Sequence, residues 1–387
     1  MRLFDRILTL GLAVIQCFVS AMVLRLAARR YHGHSLILAR WGVFLFNVVV
    51  VVGIGMSFSE VVEKLGIPGR PALLVGAATL AYFFGATSFL LIRGTFNFFR
   101  KRLHLDVDPA RRRLLQLGAN AAMAAPFAAL GYGAFVQRTD FRVREIELPA
   151  PGLPADLDGL RVLQLSDIHL SAFLSETEFA RVIDASLELR PQLAVVTGDL
   201  ISFQGDPLDA CIRQLGRLKA DAGVFGCMGN HERYAHAENY AEQAAARFGI
   251  RFLRGQTQTL RFGSATLNLA GVDHQTKSRG RSYLVGAERL VNPSAYNLLL
   301  SHNPDVLPVA AQKGFQAMLA GHTHGGQVNV EILDQGINPA RFFTPFVYGK
   351  YRVQSTIAYV TRGIGTIGVP ARLGAPPEIP LLRLRKA

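Results

Sequence analysis

Four apolar runs dominate the first third of the chain: Ile7–Leu24, Leu36–Met56, Ala72–Ile92 and Leu114–Val136. Each approaches the roughly 20 residues that a helix needs to cross hydrocarbon, and none holds a charge at its centre. Arg40 stands near the start of the second run, where its side chain can reach the interface beside Trp41. Soluble helices of this length would need polar faces at helical spacing, which these runs lack. A mean hydropathy of +0.24 and 50% hydrophobic residues fit the same picture. The pattern predicts a four-helix transmembrane region over residues 1–140 and a second domain over 141–387.

The formal charge of +14 would suit a nucleic-acid binder if it were spread over the second domain. It is not. Residues 1–144 carry 18 Lys and Arg against 6 Asp and Glu, which leaves 24 against 22 for the rest. The basic excess therefore belongs to the connections between apolar runs, and no nucleic-acid partner is expected. Arg25, Arg29, Arg30 and Arg40 flank the first connection. Glu60, Glu63, Lys64 and Arg70 balance the second, whereas the third holds Arg93, Arg100, Lys101, Arg102, Arg111, Arg112 and Arg113. Positive connections stay in the cytoplasm, so a multi-pass protein with an extracytoplasmic second domain is expected. Arg111-Arg112-Arg113-Leu114-Leu115 reads as a topology anchor or as a twin-arginine export signal.

From Phe141 onward short apolar strands alternate with helical stretches, the mark of an α/β fold. Arg142–Leu148 and Arg161–Ser166 read as strands, and Ser175-Glu-Thr-Glu178 as a capping box opening a helix to about Arg190. Leu193–Thr197 and Val224–Met228 follow as strands, separated by a helix that Asp206 caps with Pro207 at its first position. A helix is expected near Ala237–Phe248, then strands including Tyr296–Leu300, a helix near Val306–Lys313 and the strand Gln316–Ala320. Cys17, Cys211 and Cys227 form no CxxC pair, and all three read as buried free thiols; Cys211 and Cys227 could pair if exported.

Polar residues cluster just after these strands, where an α/β sheet presents functional groups. In chain order they are Asp167-Ile-His169, Gly198-Asp199, Gly229-Asn230-His231-Glu232, His302 and Gly321-His322-Thr-His324. Five of the ten histidines fall in this set. Carboxylate and imidazole donors without thiolates suit divalent manganese, iron or zinc rather than a structural zinc finger. In D-x-H or H-x-H on extended chain, residues i and i+2 point the same way and can reach one ion. Gly198, Gly229 and Gly321 each precede a proposed ligand, as a sharp turn with close approach requires.

The ordered blocks D-x-H, G-D, G-N-H-[DE], H and G-H-x-H resemble those of the calcineurin-like metallophosphoesterase family. The likeness covers about residues 157–387, with Arg362-Gly-Ile-Gly-Thr and Arg372-Leu-Gly-Ala-Pro-Pro-Glu-Ile near the end. With Gly321-His-Thr-His-Gly-Gly-Gln327 after several apolar helices, the chain is most similar to the subgroup of transmembrane proteins with a metallophosphoesterase domain. That resemblance implies a four-layer α/β/β/α sandwich of two mixed sheets. It implies one ion held by Asp167, His169, Asp199 and His324 and a second by Asp199, Asn230, His302 and His322, with Asp199 bridging. His231 would face the substrate, and Glu232 would either orient His231 or be exposed, with exposure preferred. His236 and His274 fit no block and read as surface or supporting residues.

The expected activity is hydrolysis of a phosphodiester or phosphomonoester by a membrane-anchored enzyme with two divalent ions. Relatives in the wider subgroup include exported phosphoesterases and an enzyme cleaving a UDP-linked acylated glucosamine of lipid A synthesis. Only about twenty residues separate Val136 from the first ligand-bearing strand, which keeps the site near the bilayer, so a phospholipid or lipid-linked sugar phosphate, such as a UDP-acylglucosamine, is the expected substrate. A loop from Arg341 to Arg352, with Phe342, Phe343, Phe346, Tyr351 and Lys350, reads either as packing under a loop or as a lip meeting headgroups. Competing readings are a sensor or transporter with a metal-containing ligand-binding domain, and a phosphoesterase for soluble esters. The apolar runs lack the charges and paired broken helices of transporters. No protein partner is evident.

Overall fold

The computed structural model describes residues 3–56, 69–102, 109–276, 283–332 and 335–387, in two compact units, Met1–Tyr132 and Gly133–Ala387. Glu60, Glu63 and Lys64 of the second connection lie outside the described residues.

In the first unit the apolar runs form helices Leu3–Arg30, Gly33–Met56, Gly69–Arg102 and Pro109–Phe135. All four are long and apolar enough to cross a membrane, with apolar segments of 21 to 27 residues. Large side chains such as Leu38, Val51, Leu91 and Leu114 look outward, as they do when lipid rather than water is the solvent. Inward, Leu12, Val50 and Phe83 form a small apolar core. A polar network sits beside it. Gln16 Nε2 donates to Asn47 Oδ1 at 2.6 Å, Ser20 Oγ to the same oxygen at 2.9 Å, and Tyr82 Oη to Gln16 Oε1 at 2.7 Å. Three helices are thereby tied together by side chains that hydrocarbon would leave unsatisfied. A Cβ at Gly53 would overlap Thr79, so the second and third helices approach as closely as glycine allows. Cys17, expected to be buried, is exposed on the outside of the bundle.

Besides an antiparallel pair, β10 (Val330–Ile332) and β11 (Gln335–Ile337), the second unit contains two six-stranded mixed sheets. One runs β1 (Arg142–Ala150), β14 (Glu378–Lys386), β2 (Arg161–Leu165), β3 (Leu193–Val196), β4 (Val224–Gly226), β5 (Ile250–Phe252). The other runs β12 (Gly349–Val353), β13 (Thr356–Val360), β9 (Ala317–Ala320), β8 (Tyr296–Ser301), β7 (Ala265–Val272), β6 (Gln256–Phe262). The central strands β2 to β5 are parallel, as are β7, β8, β9 and β13, so their carboxyl ends lie along common edges.

Alternation along each strand builds the four layers expected from the resemblance. Val162, Leu193 and Val195 face Leu267, Leu269, Leu298 and Leu300 across the space between sheets. Their neighbours Leu163, Ala194 and Val196 turn to the other face, against Phe179, Val182 and Ile183 of the helix Glu176–Glu188 and Ile212 and Leu215 of the helix Leu208–Leu215. Leu299, Met318 and Ala320 likewise meet Leu307 and Ala310 of the helix Leu307–Lys313.

The Ser175 capping box is present: Ser175 Oγ accepts from Glu178 N, and Glu178 Oε2 accepts from Ser175 N at 2.8 Å. The next helix begins differently from expectation. Pro207 itself is its N-cap, and Asp206 Oδ2 accepts from Ser202 N and Phe203 N, closing the preceding loop instead. Cys211 and Cys227 are free and buried.

Candidate metal centre

Each block of polar residues follows a parallel strand and enters a tight loop. Asp167, His169, Asp199, His322 and His324 all have positive φ, between 48° and 78°. The extended-chain argument for residues i and i+2 therefore fails. Asp167 and His169 converge because both sit in left-handed turns, a conformation that costs non-glycine residues energy and gathers at functional sites. The loops after β2 and β3 brace each other, with Asp167 N donating to Gly198 O and His169 N to Asp199 O, both at 3.0 Å. Glycine is required where they close: a Cβ at Gly229 would overlap Asp199 Oδ1, and one at Gly321 would overlap Asp167 Oδ2.

Seven of the eight residues singled out from the sequence gather around two carboxylates through the contacts now described. Asp199 Oδ2 lies 3.5 Å from His169 Nε2 and 3.0 Å from His302 Nε2. Asp167 Oδ1 lies 3.4 Å from His324 Nε2 and 4.0 Å from His302 Nε2. His169 Nε2 is 3.2 Å from His324 Nε2, and His322 Nδ1 is 3.2 Å from His302 Nε2. Three sets of donor atoms could each hold an ion: Asp167, His169 and His324; His169, Asp199 and His231; and Asp199, His302 and His322. Asn230, the eighth residue, is buried at the start of the short helix Asn230–Tyr234, adjacent to His231, and its Oδ1 has no partner among the described residues.

Hydrogen bonds at the far side of the rings decide which nitrogen faces inward. His302 Nδ1 donates to Thr197 O at 2.7 Å, which turns Nε2 toward Asp199. His231 Nδ1 donates to Ser202 O at 2.6 Å, and His169 Nδ1 lies 3.1 Å from Ser202 Oγ. Such bonds orient a ring for ligation and select its tautomer. The main chain is oriented too, since His322 N donates to Asp167 Oδ1 and His231 N to Asp199 Oδ1.

Burial shapes the charges. Desolvation raises the Asp167 carboxyl to about 6, against the opposing pull of His302. Burial would also raise Asp199, but His302 and His231 outweigh it and hold that carboxyl well below its usual range. Burial works against charge on His302, yet Asp199 and then Asp167 lift its pKa to about 10. His169 and His324 are pushed down chiefly by burial, and so is His322, to about 3.

The residues present fit a divalent metal. Asp167 Oδ2 and Asn230 Oδ1 are buried with no hydrogen-bond partner among the described residues, an arrangement that is costly unless something else binds there. Neutral imidazoles and carboxylates are the forms that ligate.

Three residues acquire a role that the sequence did not reveal. Glu232, expected to be exposed, is fully buried and accepts from Gly229 N at 2.8 Å, Asp199 N at 3.0 Å and Leu200 N at 2.6 Å. It therefore clamps the two loops that carry Asp199 and Asn230, and among the described residues its carboxylate bonds to these backbone groups rather than to His231. Arg372 is buried completely, donating to Gly365 O, Arg362 O and Ala375 O, with His324 O at 3.4 Å. His274 places its ring 5.4 Å from that of His322 and 5.9 Å from that of His302, and burial lowers its pKa to about 4. His236 is exposed. The Arg341–Arg352 loop divides: Phe346 and Tyr351 pack edge to face against the core, while Phe342 and Phe343 are 90% and 70% exposed.

Residues 160–326 match the family model described as calcineurin-like phosphoesterase. A zebrafish transmembrane protein with metallophosphoesterase domain is 32% identical over 64% of this chain and 58% of its own length. The Bacillus subtilis metallophosphoesterase YkuE is 28% identical over 71% of this chain and 98% of its own. The Escherichia coli phosphodiesterase YaeI is 28% identical over 71% of this chain and 99% of its own. The chain thus spans little more than half of the zebrafish protein and nearly all of the two bacterial ones. Residues 160–326, which carry the ordered blocks from Asp167 to His324 within the two-sheet sandwich, are thus similar to the calcineurin-like phosphoesterases.

Proposed function

We propose that this chain is a membrane-anchored phosphoesterase with a two-ion centre, cleaving a phosphodiester or phosphomonoester that is lipid-borne or lipid-linked. The observation that carries the reading is the position of Asp199 between His169 and His302, in two of the three donor sets. Asp167, His169, Asp199 and His324 would hold one ion, and Asp199, Asn230, His302 and His322 the other. Two divalent ions, manganese, iron or zinc, would supply Lewis acidity toward the phosphoryl oxygens and the charge to stabilise an in-line displacement.

The chain's own residues supply the rest. His231 has its Nδ1 proton committed to Ser202 O, so its Nε2 is the atom available to the substrate, where it can protonate a leaving oxygen or balance phosphoryl charge. His274, beside His302 and His322, would meet the ester on the other flank. Exposed Phe342 and Phe343 with Arg341 supply an apolar and basic surface for a headgroup. The basic first and third connections support an extracytoplasmic position for residues 141–387.

Full-length protein in detergent, assayed on bis-p-nitrophenyl phosphate and p-nitrophenyl phosphate with and without added manganese, tests the activity. Hydrolysis that chelator removes and manganese restores is expected; no metal-dependent turnover of either ester would refute it. Reporters active only outside the cytoplasm, fused after Gly55 and Val136, should be active, and fusions at Arg30 and Arg102 silent; the reverse would overturn the orientation.

A further inference from the structure

Between the helices Leu3–Arg30 and Gly69–Arg102 lies a recess of about 550 Å³. Phe18 and Leu26 from the first helix and Leu90 from the other give it apolar walls. At one end three guanidinium groups, Arg25, Arg29 and Arg93, stand around it with the amide of Asn97. Arg25 and Arg29 are four residues apart, as are Arg93 and Asn97, so each pair shares one helix face, and the two faces meet over the recess. No acidic residue is among the described residues that line it.

Like charges at this spacing destabilise a helix, and three of them at the edge of a low-dielectric slab favour a shared anion. Guanidinium forks match the oxygens of a phosphate better than those of a simple halide. Topology-setting arginines need only lie in the connection. Arg25, Arg29 and Arg93 border the connections but also fall inside the apolar segments Leu10–Arg30 and Leu74–Phe98, toward their C-terminal ends, and helix ends are where basic side chains meet headgroups. We propose that this recess binds an anionic phospholipid, with its phosphodiester between Arg25, Arg29 and Arg93 and an acyl chain along Phe18, Leu26 and Leu90. The occupant is a lipid rather than a free anion because apolar side chains line the recess beside the arginines.

The test uses the full chain in mild detergent, titrated with phosphatidylglycerol or with phosphatidylcholine of the same acyl chains, and read by native mass spectrometry and thermal unfolding. Phosphatidylglycerol should bind about tenfold more tightly and raise the unfolding temperature; millimolar inorganic phosphate should do neither. Arg25→Gln with Arg93→Gln should abolish the preference. Because removing charge from a connection can disturb insertion, Gly94→Phe is the second variant. A Cβ at Gly94 meets no atom within 4 Å, so the ring can fill the recess while every charge stays in place. That variant should keep its lipid-free unfolding temperature and lose the bound lipid. Equal binding of both lipids, an undiminished preference in Gly94→Phe, or equal stabilisation by inorganic phosphate would overturn the proposal.

Discussion

Replacing Glu232 by Gln should loosen the metal centre without touching any proposed ligand. The carboxylate takes three backbone N–H groups: Oε2 accepts from Gly229 and Asp199, and Oε1 from Leu200. A carboxamide has one oxygen. If it keeps the two-bond position, its NH2 faces the Leu200 N–H, so a charge-assisted bond is lost and two donors oppose each other in a fully buried site. The loss of one such bond costs about 1.5–3 kcal/mol and a stranded buried donor about 1–3, so roughly 3 kcal/mol is expected. For a domain of this size that corresponds to about 6–12 °C in unfolding temperature. Glu232→Ala, which strands all three donors, should cost more. Scanning calorimetry of the full chain in detergent measures the shift, and isothermal titration with manganese measures the effect on affinity, expected to fall at least about tenfold as the Asp199 and Asn230 loops relax. An unfolding temperature within about 1 °C of the unmodified chain, with unchanged affinity, would refute the clamp.

Asp199→Asn should remove activity more completely than any other change among the proposed ligands and lower the bound metal from two ions per chain, as counted by plasma emission spectrometry; two ions with full activity would sink the bridging role. Metal loading should release a proton, because His302 is raised to about 10 without an ion and must lose that proton to ligate, whereas His169, His322 and His324 are already neutral. Apparent affinity should therefore fall roughly tenfold per unit as pH drops from about 9 to 7, and more steeply below about 6, where Asp167 also takes a proton; calorimetry in buffers of different ionisation enthalpy would show no proton release if the assignment is wrong. Phe342→Ser with Phe343→Ser should lower turnover of vesicle-borne ester while sparing a matching soluble headgroup ester. Equal effects on both would leave the membrane part as an anchor alone. Phe346 is unsuited to that test, since it packs against Tyr351 and its loss would act through folding.

Local chemistry made a large part of this protein legible from its sequence. Length and hydropathy alone mark the four helices, because a bilayer core tolerates nothing else of that length without charge. The Ser175 box is likewise local, with its partners three residues apart. The ligand blocks could be read because each sits on one loop after one strand. Other features have partners far along the chain, and no periodicity names a partner. Gln16, Asn47 and Tyr82 look like incidental polar residues until three helices bring them within hydrogen-bond reach. β14, far along the chain from its partners, lies between β1 and β2 near the start of its domain. Glu232 reads from the sequence as orienting His231 or, preferably, as exposed; only the folding of β3 against β4 puts the Asp199 and Leu200 amides in front of it. Arg372 is buried because the carbonyls of Arg362, Gly365 and His324, brought from other loops, close around it together with that of Ala375 in its own. Residue types thus determined what chemistry the site could do, and tertiary packing decided which buried donors and acceptors hold it in shape, because a hydrogen bond's geometry exists only once distant segments meet.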